Sequence, residues 1–223
     1  MSDLISMEQF LDDSAEPAVS GFLHVPANAS ADALILTHGA GANCQSKLLT
    51  ALAHSFAEAG FTVLRCDLPF RHSRPHGPPS PALAARDRDG LKRAVHLMRQ
   101  RVTGKVFLGG HSYGGRQATM LAAEEPRLAD GLLLLSYPLH PPRKPAELRT
   151  AHFPRLATPS LFVHGSRDPF GSLDEMQTAL GLIPAATTLF AVDRAGHELL
   201  PKTESNELPR EIVAAFHSFF STK

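Results

Sequence analysis

The sequence predicts an α/β fold with a doubly wound, mainly parallel sheet. Short apolar runs alternate along the chain with amphipathic helical segments, and strands that are joined through helices lie parallel in one sheet. Two runs, Ala33–Thr37 and Gly131–Ser136, are apolar through nearly their whole length, which is typical of central strands covered on both faces. Functional residues are therefore expected in the loops at the carboxyl ends of the strands.

Length and composition favour one domain over residues 1–223, since 223 residues with 43% apolar side chains suit a single large core. Residues 1–16 form a loosely defined N-terminal segment, either a short edge strand or a loose helix. Lys+Arg and Asp+Glu both number 22, which gives no indication of nucleic-acid or acidic-membrane binding. The N-terminus lacks a secretory pattern and no apolar run is long enough to span a bilayer, so a cytoplasmic protein is expected.

Periodicity and turn residues give the order of the elements. The predicted strands are Val19–Val25, Ala33–Thr37, Phe61–Cys66, Lys105–Gly109, Gly131–Ser136, Ser160–His164 and Thr187–Val192. The predicted helices are Lys47–Ala59, Ala82–Arg101, Gly115–Glu124, Leu173–Leu182 and Glu207–Phe220. The basic, proline-rich stretch Arg71–Pro81 is predicted to be a loop, and Tyr137–Leu156 a loop with at most one helical turn.

One strand-to-helix turn carries the strongest functional signal. Gly110, Ser112 and Gly114 form a Gly-x-Ser-x-Gly pattern between a strand and a helix, the setting in which a serine acts as a nucleophile. Glycines two positions on either side leave room for the sharp turn. An ordinary strand–helix turn with a capping serine is the alternative.

Two later loops offer the partners that such a serine needs. Asp168 follows the penultimate strand and His197 follows the last one. A histidine in this position removes the serine proton, and an acid orients the histidine and stabilises its cation. Ser112, Asp168 and His197 also stand in the chain order typical of hydrolases with this turn. Asp168 could instead be only a capping or turn residue, and Asp193 is its nearest rival.

The loop after the Ala33–Thr37 strand is predicted to complete an oxyanion hole. Acyl transfer needs preorganised N–H donors for the negatively charged oxygen. The backbone of Tyr113 supplies one, and the backbone of Ala40, within the small-residue turn His38–Ala42, supplies the other. A tight turn that merely requires small residues is the alternative.

Several motifs together resemble the α/β-hydrolase superfamily. They are His38-Gly-Ala-Gly41, Asp67-Leu-Pro-Phe70, Gly109-Gly-His-Ser-Tyr-Gly-Gly-Arg116, Ser136-Tyr-Pro-Leu-His140 and Gly165-Ser-Arg-Asp168. The closer resemblance is to a branch of hydrolase-like domains and small bacterial relatives of dienelactone hydrolase. It implies an α/β-hydrolase fold with Ser112 as nucleophile. Dienelactone hydrolases proper use cysteine, so Ser112 departs from their pattern.

The functional expectation is a serine hydrolase of small-molecule esters or thioesters. The segment between Ser136 and Ser160 is too short for a lid domain, which favours a substrate with a small or accessible acyl group. Some members of the resembling branch serve as interaction domains, so a non-catalytic or weakly catalytic interaction module is the alternative. No nucleotide-binding motif is present, and no cofactor is expected.

Three further groups of residues are interpreted as structural or solvent-exposed. The histidines near strand ends, His38, His111, His140 and His164, lack metal-ligand spacing, so hydrogen bonding to neighbouring groups is favoured over a metal site. Cys44 and Cys66 are interpreted as reduced thiols rather than a redox pair. Solvated charge is favoured over an anion clamp for a set of basic residues near the predicted site, namely Arg71, Arg74, Arg116, Arg143 and Lys144.

Overall fold

A computed structural model describes residues 5–200 and 207–221 of the chain. The strands are β1 (Ile5–Asp12), β2 (Val19–Pro26), β3 (Ala33–Thr37), β4 (Thr62–Cys66), β5 (Val106–His111), β6 (Gly131–Leu135), β7 (Ser160–Gly165) and β8 (Thr187–Val192). The helices are α1 (Lys47–Glu58), α2 (Pro69–Ser73), α3 (Ala84–Arg99), α4 (Tyr113–Glu124), α5 (Leu173–Leu180) and α6 (Glu207–Ser221).

The eight strands form one sheet in the order β1-β2-β4-β3-β5-β6-β7-β8. The β1–β2 and β2–β4 pairs are antiparallel, and every other pair is parallel. Gly110 of β5 pairs with Thr37 of β3 on one side and with Leu134 of β6 on the other. The carboxyl ends of these three strands therefore lie at the same edge of the sheet. The α/β-hydrolase fold predicted from sequence, a doubly wound and mainly parallel sheet, is confirmed.

Helices cover both faces of the sheet because the central strands are apolar on both sides. In β6, Leu132 and Leu134 pack into one core with α3, α4 and α5, whereas Leu133 and Leu135 pack into the other with α1 and α6. This alternation is the period of two that a strand imposes on its side chains. The second core is aromatic, since the Phe216 ring lies 5.1 Å from Phe56 and 4.8 Å from Phe107.

The structure differs from the sequence prediction at several element ends and in one helix. Residues Pro69–Ser73, divided in the prediction between a strand exit and the loop Arg71–Pro81, form the short helix α2. Pro69 at its start suits a first helical turn, but five residues are too few to show helical periodicity. Helix α4 begins at Tyr113 rather than Gly115, so the turn at Ser112 is tighter than predicted.

Two segments that the sequence left open are now defined. The N-terminal segment contains an edge strand, Ile5–Asp12, rather than a loose helix; residues 1–4 lie outside the described part. The connection from β6 to β7 contains only one 3-10 turn, Phe153–Arg155, and forms no lid domain. Within residues 5–200 and 207–221, no helix is both long and apolar enough to cross a membrane.

Candidate active site

Ser112 occupies the turn between β5 and α4 in a strained backbone conformation, with φ 50° and ψ −113°. A positive φ is costly for a residue with a side chain and is concentrated at functional sites. Close packing maintains the turn. A Cβ at Gly110 would lie 2.6 Å from the Gly114 carbonyl carbon, and one at Gly114 would lie 2.6 Å from the His38 carbonyl oxygen. Only glycine therefore fits at these two positions.

His197 lies in the loop after β8, and its imidazole reaches the serine. Its Nε2 is 2.8 Å from Ser112 Oγ, which is hydrogen-bond distance. The loop is held from two sides: His111 Nε2 donates to the His197 carbonyl oxygen at 2.8 Å, and the Phe170 ring lies 4.2 Å from the His197 ring. These contacts fix the imidazole against the nucleophile turn.

Asp168 lies in the loop after β7 and hydrogen-bonds to the other nitrogen of the imidazole. His197 Nδ1 is 2.8 Å from Asp168 Oδ2 and 3.0 Å from Oδ1. The carboxylate is fully buried and also accepts the Phe170 N–H at 2.9 Å. His164 Nε2 donates to the Gly171 carbonyl at 2.8 Å and lies 3.8 Å from Asp168, so it supports the loop beneath the carboxylate.

Asp193, the rival acid, does not take this position. Its side chain is 83% exposed and lies 3.3 Å from Arg194 Nε. Among the described residues, the imidazole of His197 is hydrogen-bonded to Asp168 and Ser112. The serine, the histidine and Asp168 therefore form a continuous hydrogen-bonded chain across three strand ends.

The turn predicted to hold the oxyanion lies directly against Ser112. A Cβ at Gly39 would lie 3.4 Å from Ser112 Cβ and 3.0 Å from His111 Nδ1. His38 anchors the turn, because its Nδ1–H donates to the Gly39 carbonyl at 2.8 Å and its Nε2 accepts the Leu68 N–H at 3.0 Å. This pattern requires the neutral imidazole, and burial lowers the pKa of His38 below its ordinary value.

Arg71 braces the same turn from α2. Its Nη2 donates to the Ala40 carbonyl oxygen at 2.7 Å, and Nη1 donates to the carbonyl oxygens of Arg74 and Pro75 at 2.9 Å. The residue is buried. From sequence, Arg71 is predicted to be a solvated charge near the site or a clamp for an anionic substrate. In the structure, its guanidinium instead hydrogen-bonds to backbone carbonyl oxygens.

Tyr113, the other predicted oxyanion residue, is the first residue of α4, where N–H groups have no intrahelical acceptor. Its hydroxyl donates to Asp87 Oδ2 at 2.7 Å, and Asp87 Oδ1 accepts the Phe70 N–H at 2.9 Å. Burial raises the pKa of Asp87, although these two hydrogen bonds oppose the shift. Asp87 thus links α4 to α2, a role that no sequence motif indicates.

The remaining sequence-derived groups fall outside the hydrogen-bonded chain. Cys44 and Cys66 are free and buried, and burial raises the pKa of Cys44 to about 12, which disfavours the reactive thiolate. Within the described ranges, no cluster of three or more His, Cys, Asp or Glu side chains could hold a metal ion. Lys144 pairs with Glu147 at 2.9 Å on the surface.

Comparison with known proteins places the chain in a family. A model of the alpha/beta hydrolase domain matches residues 30–221. Dienelactone hydrolase from Anabaena variabilis is similar in structure, with a TM-score of 0.75 at 20% identity over 96% of this chain and 97% of that chain. A serine hydrolase without lid from Xanthomonas campestris gives a TM-score of 0.70 at 17% identity, over 95% of both chains.

An esterase from Pyrococcus furiosus is also similar, with a TM-score of 0.72 at 16% identity over 99% of this chain and 91% of that chain. At these identities the likeness concerns the fold. All three neighbours are hydrolases by name, and all are covered over nearly their full length.

Proposed function

The chain belongs to the alpha/beta hydrolase domain family, and on that basis we propose that it is a serine hydrolase of esters or thioesters. The observation that carries the proposal is the hydrogen-bonded chain from Ser112 Oγ through His197 to Asp168, with contacts of 2.8 Å at both imidazole nitrogens. A nucleophile, a base and an orienting acid in this geometry are what acyl transfer requires.

The proposed reaction begins when His197 Nε2 takes the Ser112 hydroxyl proton. Oγ then bonds to the acyl carbon, and the carbonyl oxygen becomes an oxyanion that accepts hydrogen bonds from the Ala40 and Tyr113 N–H groups. The carbon–oxygen or carbon–sulfur bond to the leaving group breaks, and the leaving group takes the proton from His197. A water molecule, activated by the same imidazole, then releases the acid and restores Ser112.

Asp168 holds His197 with the proton on Nδ1, so that Nε2 faces the serine as an acceptor. The absence of a lid between β6 and β7 supports a small or accessible acyl group. We therefore expect short-chain or exposed acyl groups to be preferred over long chains.

Labelling with a fluorophosphonate tests the proposal without knowledge of the substrate. The probe should modify Ser112, identified by peptide mass spectrometry, and His197→Ala should suppress the modification because the hydroxyl loses its base. His76→Ala, a matched change at an exposed histidine, should label as the native protein does. Absence of labelling in the native protein, or labelling that survives Ser112→Ala, would contradict the proposal and favour the interaction module.

A further inference from the structure

One buried carboxylate of α3 hydrogen-bonds to two residues next to the proposed oxyanion site. Asp87 Oδ2 accepts the Tyr113 hydroxyl at 2.7 Å, and Asp87 Oδ1 accepts the Phe70 N–H at 2.9 Å. In the described part of the chain Asp87 forms no ion pair, and its neighbour Arg88 pairs with Glu124 at 3.2 Å. Removing a carboxylate from water without a cation beside it costs free energy, so the two hydrogen bonds must compensate for its burial.

The hydrogen bond to Phe70 is part of a close contact between α2 and α3. Gly90 follows Asp87 by three positions on α3, and a Cβ at Gly90 would lie 2.5 Å from Pro69 Cγ. Positions three residues apart lie on the same face of a helix, so one face of α3 contacts the start of α2 at both points. The first turn of α2 is therefore fixed in position by α3.

The segment around Phe70 in turn holds the first proposed oxyanion donor, the Ala40 N–H. The Leu68 N–H donates to His38 Nε2 at 3.0 Å. Arg71 Nη2 donates to the Ala40 carbonyl oxygen at 2.7 Å. Phe70 stands between these two donors in the chain, and its ring lies 5.6 Å from the His38 ring. A displacement of Phe70 would therefore disturb both hydrogen bonds that hold the turn.

The hydrogen bond to Tyr113 fixes the second proposed donor, the N–H of that residue. The Tyr113 ring meets the Phe70 ring edge to face, with a centroid distance of 5.8 Å. The Arg116 N–H donates to the Ser112 carbonyl at 3.0 Å, and this sets the plane of the peptide that carries the Tyr113 N–H. Both the side chain and the backbone of Tyr113 are therefore held, the side chain by Asp87.

We propose that Asp87 is a positioning residue for the oxyanion hole. It sets the Ala40 and Tyr113 N–H groups relative to each other, because one carboxylate oxygen holds Phe70 and the other holds Tyr113. Asp87 is buried and acts through these neighbours without contact to the substrate. This role rests on the proposed hydrolase function. The alternative is a purely structural one, in which Asp87 only stabilises the packing of α2 on α3.

Two substitutions at Asp87 separate its hydrogen bonds from its shape. Asp87→Leu keeps a branched side chain of similar size but accepts neither hydrogen bond. Asp87→Asn can bond to both neighbours, because its carbonyl oxygen accepts the Phe70 N–H and its NH₂ group donates to the Tyr113 hydroxyl oxygen. Asp89→Leu, at an exposed position of α3, is the matched control. Thermal melting and circular dichroism establish that each variant is folded.

Two esters that differ in one atom measure the state of the oxyanion hole. In 4-nitrophenyl butyrate the negative charge develops on oxygen, whereas in O-4-nitrophenyl thiobutyrate it develops on sulfur, a weaker hydrogen-bond acceptor. The native protein should therefore prefer the oxygen ester in kcat/KM. Asp87→Leu should lower kcat for the oxygen ester by roughly 10- to 100-fold and the oxygen-to-sulfur ratio of kcat/KM by about fivefold or more, since loss of one whole donor costs about 10² to 10³.

The ratio distinguishes positioning from stability. Asp87→Asn and Asp89→Leu should keep the native ratio. A smaller folded fraction of Asp87→Leu lowers the turnover of both esters equally, so a native ratio in that variant overturns the proposal and supports the purely structural role. Tyr113→Phe, which removes only the hydroxyl, should lower the ratio by about twofold or more, as for one hydrogen bond. It decides the question where Asp87→Leu does not fold, and an unchanged ratio in Tyr113→Phe overturns the proposal.

Hydrogen–deuterium exchange separates failure of this role from failure of the hydrolase function. If the native protein turns over neither ester, the function fails, and amide exchange still shows whether Asp87 holds the two turns. The Ala42 N–H donates to the Gly39 carbonyl at 3.1 Å and closes the first turn, as the Arg116 N–H closes the second. Faster exchange at both amides in Asp87→Leu, with native exchange in Asp89→Leu, supports the positioning role. Unchanged exchange at either amide overturns it.

Discussion

The two halves of the candidate site are built in different ways. In the nucleophile–base half, Ser112, His197 and Asp168 contact one another directly through their side chains. In the oxyanion half, the proposed donors are backbone N–H groups of Ala40 and Tyr113, and side chains elsewhere hold them in place. Chemical identity therefore matters at each position of the first half, whereas the second half depends on what fixes the backbone.

The largest effect is expected in the nucleophile–base half. Ser112→Ala or His197→Ala should lower kcat for a short 4-nitrophenyl ester by a factor on the order of 10⁶, because the three residues act as a unit. The double variant should be no slower than either single variant. Additive losses in the double variant, with all proteins folded by circular dichroism, would mean that the two side chains do not act together.

A smaller loss is expected at the acid. Asp168→Asn should lower kcat by roughly 10⁴, because the amide no longer holds His197 in the tautomer that accepts the serine proton. Asp193→Asn is the matched control, since that acid is exposed and contacts Arg194. It should change kcat less than about twofold, in keeping with a surface substitution. Equal losses in the two variants would remove Asp168 from its proposed role.

Substitutions in the oxyanion half should lower kcat less, and they act at residues that do not contact the substrate. Arg71→Gln should lower kcat by about 10- to 100-fold with KM nearly unchanged, since loss of a whole oxyanion donor costs about 10² to 10³ and this change only loosens one. Arg71→Lys keeps the charge but loses the planar guanidinium, so its kcat should lie between that of the native protein and that of Arg71→Gln. The control is Arg74→Gln, at an exposed arginine that bonds the Pro78 carbonyl.

Arg71→Gln also separates the two halves within one protein. Its Ser112 and His197 remain hydrogen-bonded, so fluorophosphonate labelling should go to completion, although more slowly. Full native kcat in Arg71→Gln would show that the Ala40 turn needs no brace. A rise in KM with native kcat would instead support the interpretation of Arg71 as a clamp for an anionic substrate.

The same contrast explains what could be predicted from sequence. Ser112, Asp168 and His197 are recognisable because their chemistry restricts residue type and the parallel sheet fixes their order along the chain. The doubly wound, mainly parallel sheet follows from the alternation of apolar runs and helices, and the α/β-hydrolase fold is implied by the resemblance of the motifs; both are confirmed. The roles of the three residues and of Ala40 and Tyr113 stay predictions, although the structure brings the three side chains into hydrogen-bond contact.

Residues whose side chains stabilise the backbone near the site cannot be recognised from sequence in this way. Arg71 lies in a basic, proline-rich stretch that resembles a solvated loop, and its burial depends on α2, a helix too short to show periodicity. Asp87 lies in α3 and meets Tyr113 only through tertiary packing. Sequence spacing does not encode these contacts, because they join segments whose distance in space is set by the whole sheet.

The smallest expected effect concerns pH and the anchor of the oxyanion turn. Burial lowers the pKa of His38, whose neutral ring accepts the Leu68 N–H. The unfolded chain, with a histidine pKa near 6.5, therefore binds more protons than the native state, and the free energy of unfolding falls as pH drops below about 6.5. Other buried histidines contribute in the same direction, including His24, whose pKa burial lowers to about 4.

Urea unfolding at pH 7.5 and at pH 5.0 measures this loss. His38→Gln cannot be protonated, so it should lose less stability than the native protein over the same interval, by on the order of 1 kcal/mol. At pH 7.5 it should be less stable than the native protein, because hydrogen bonds to the turn are lost. Gln45→Ala, a change at an exposed residue that does not titrate, should keep the native pH dependence. An unchanged pH dependence in His38→Gln would mean that the oxyanion turn does not rely on a neutral imidazole, and would leave Arg71 as its principal brace.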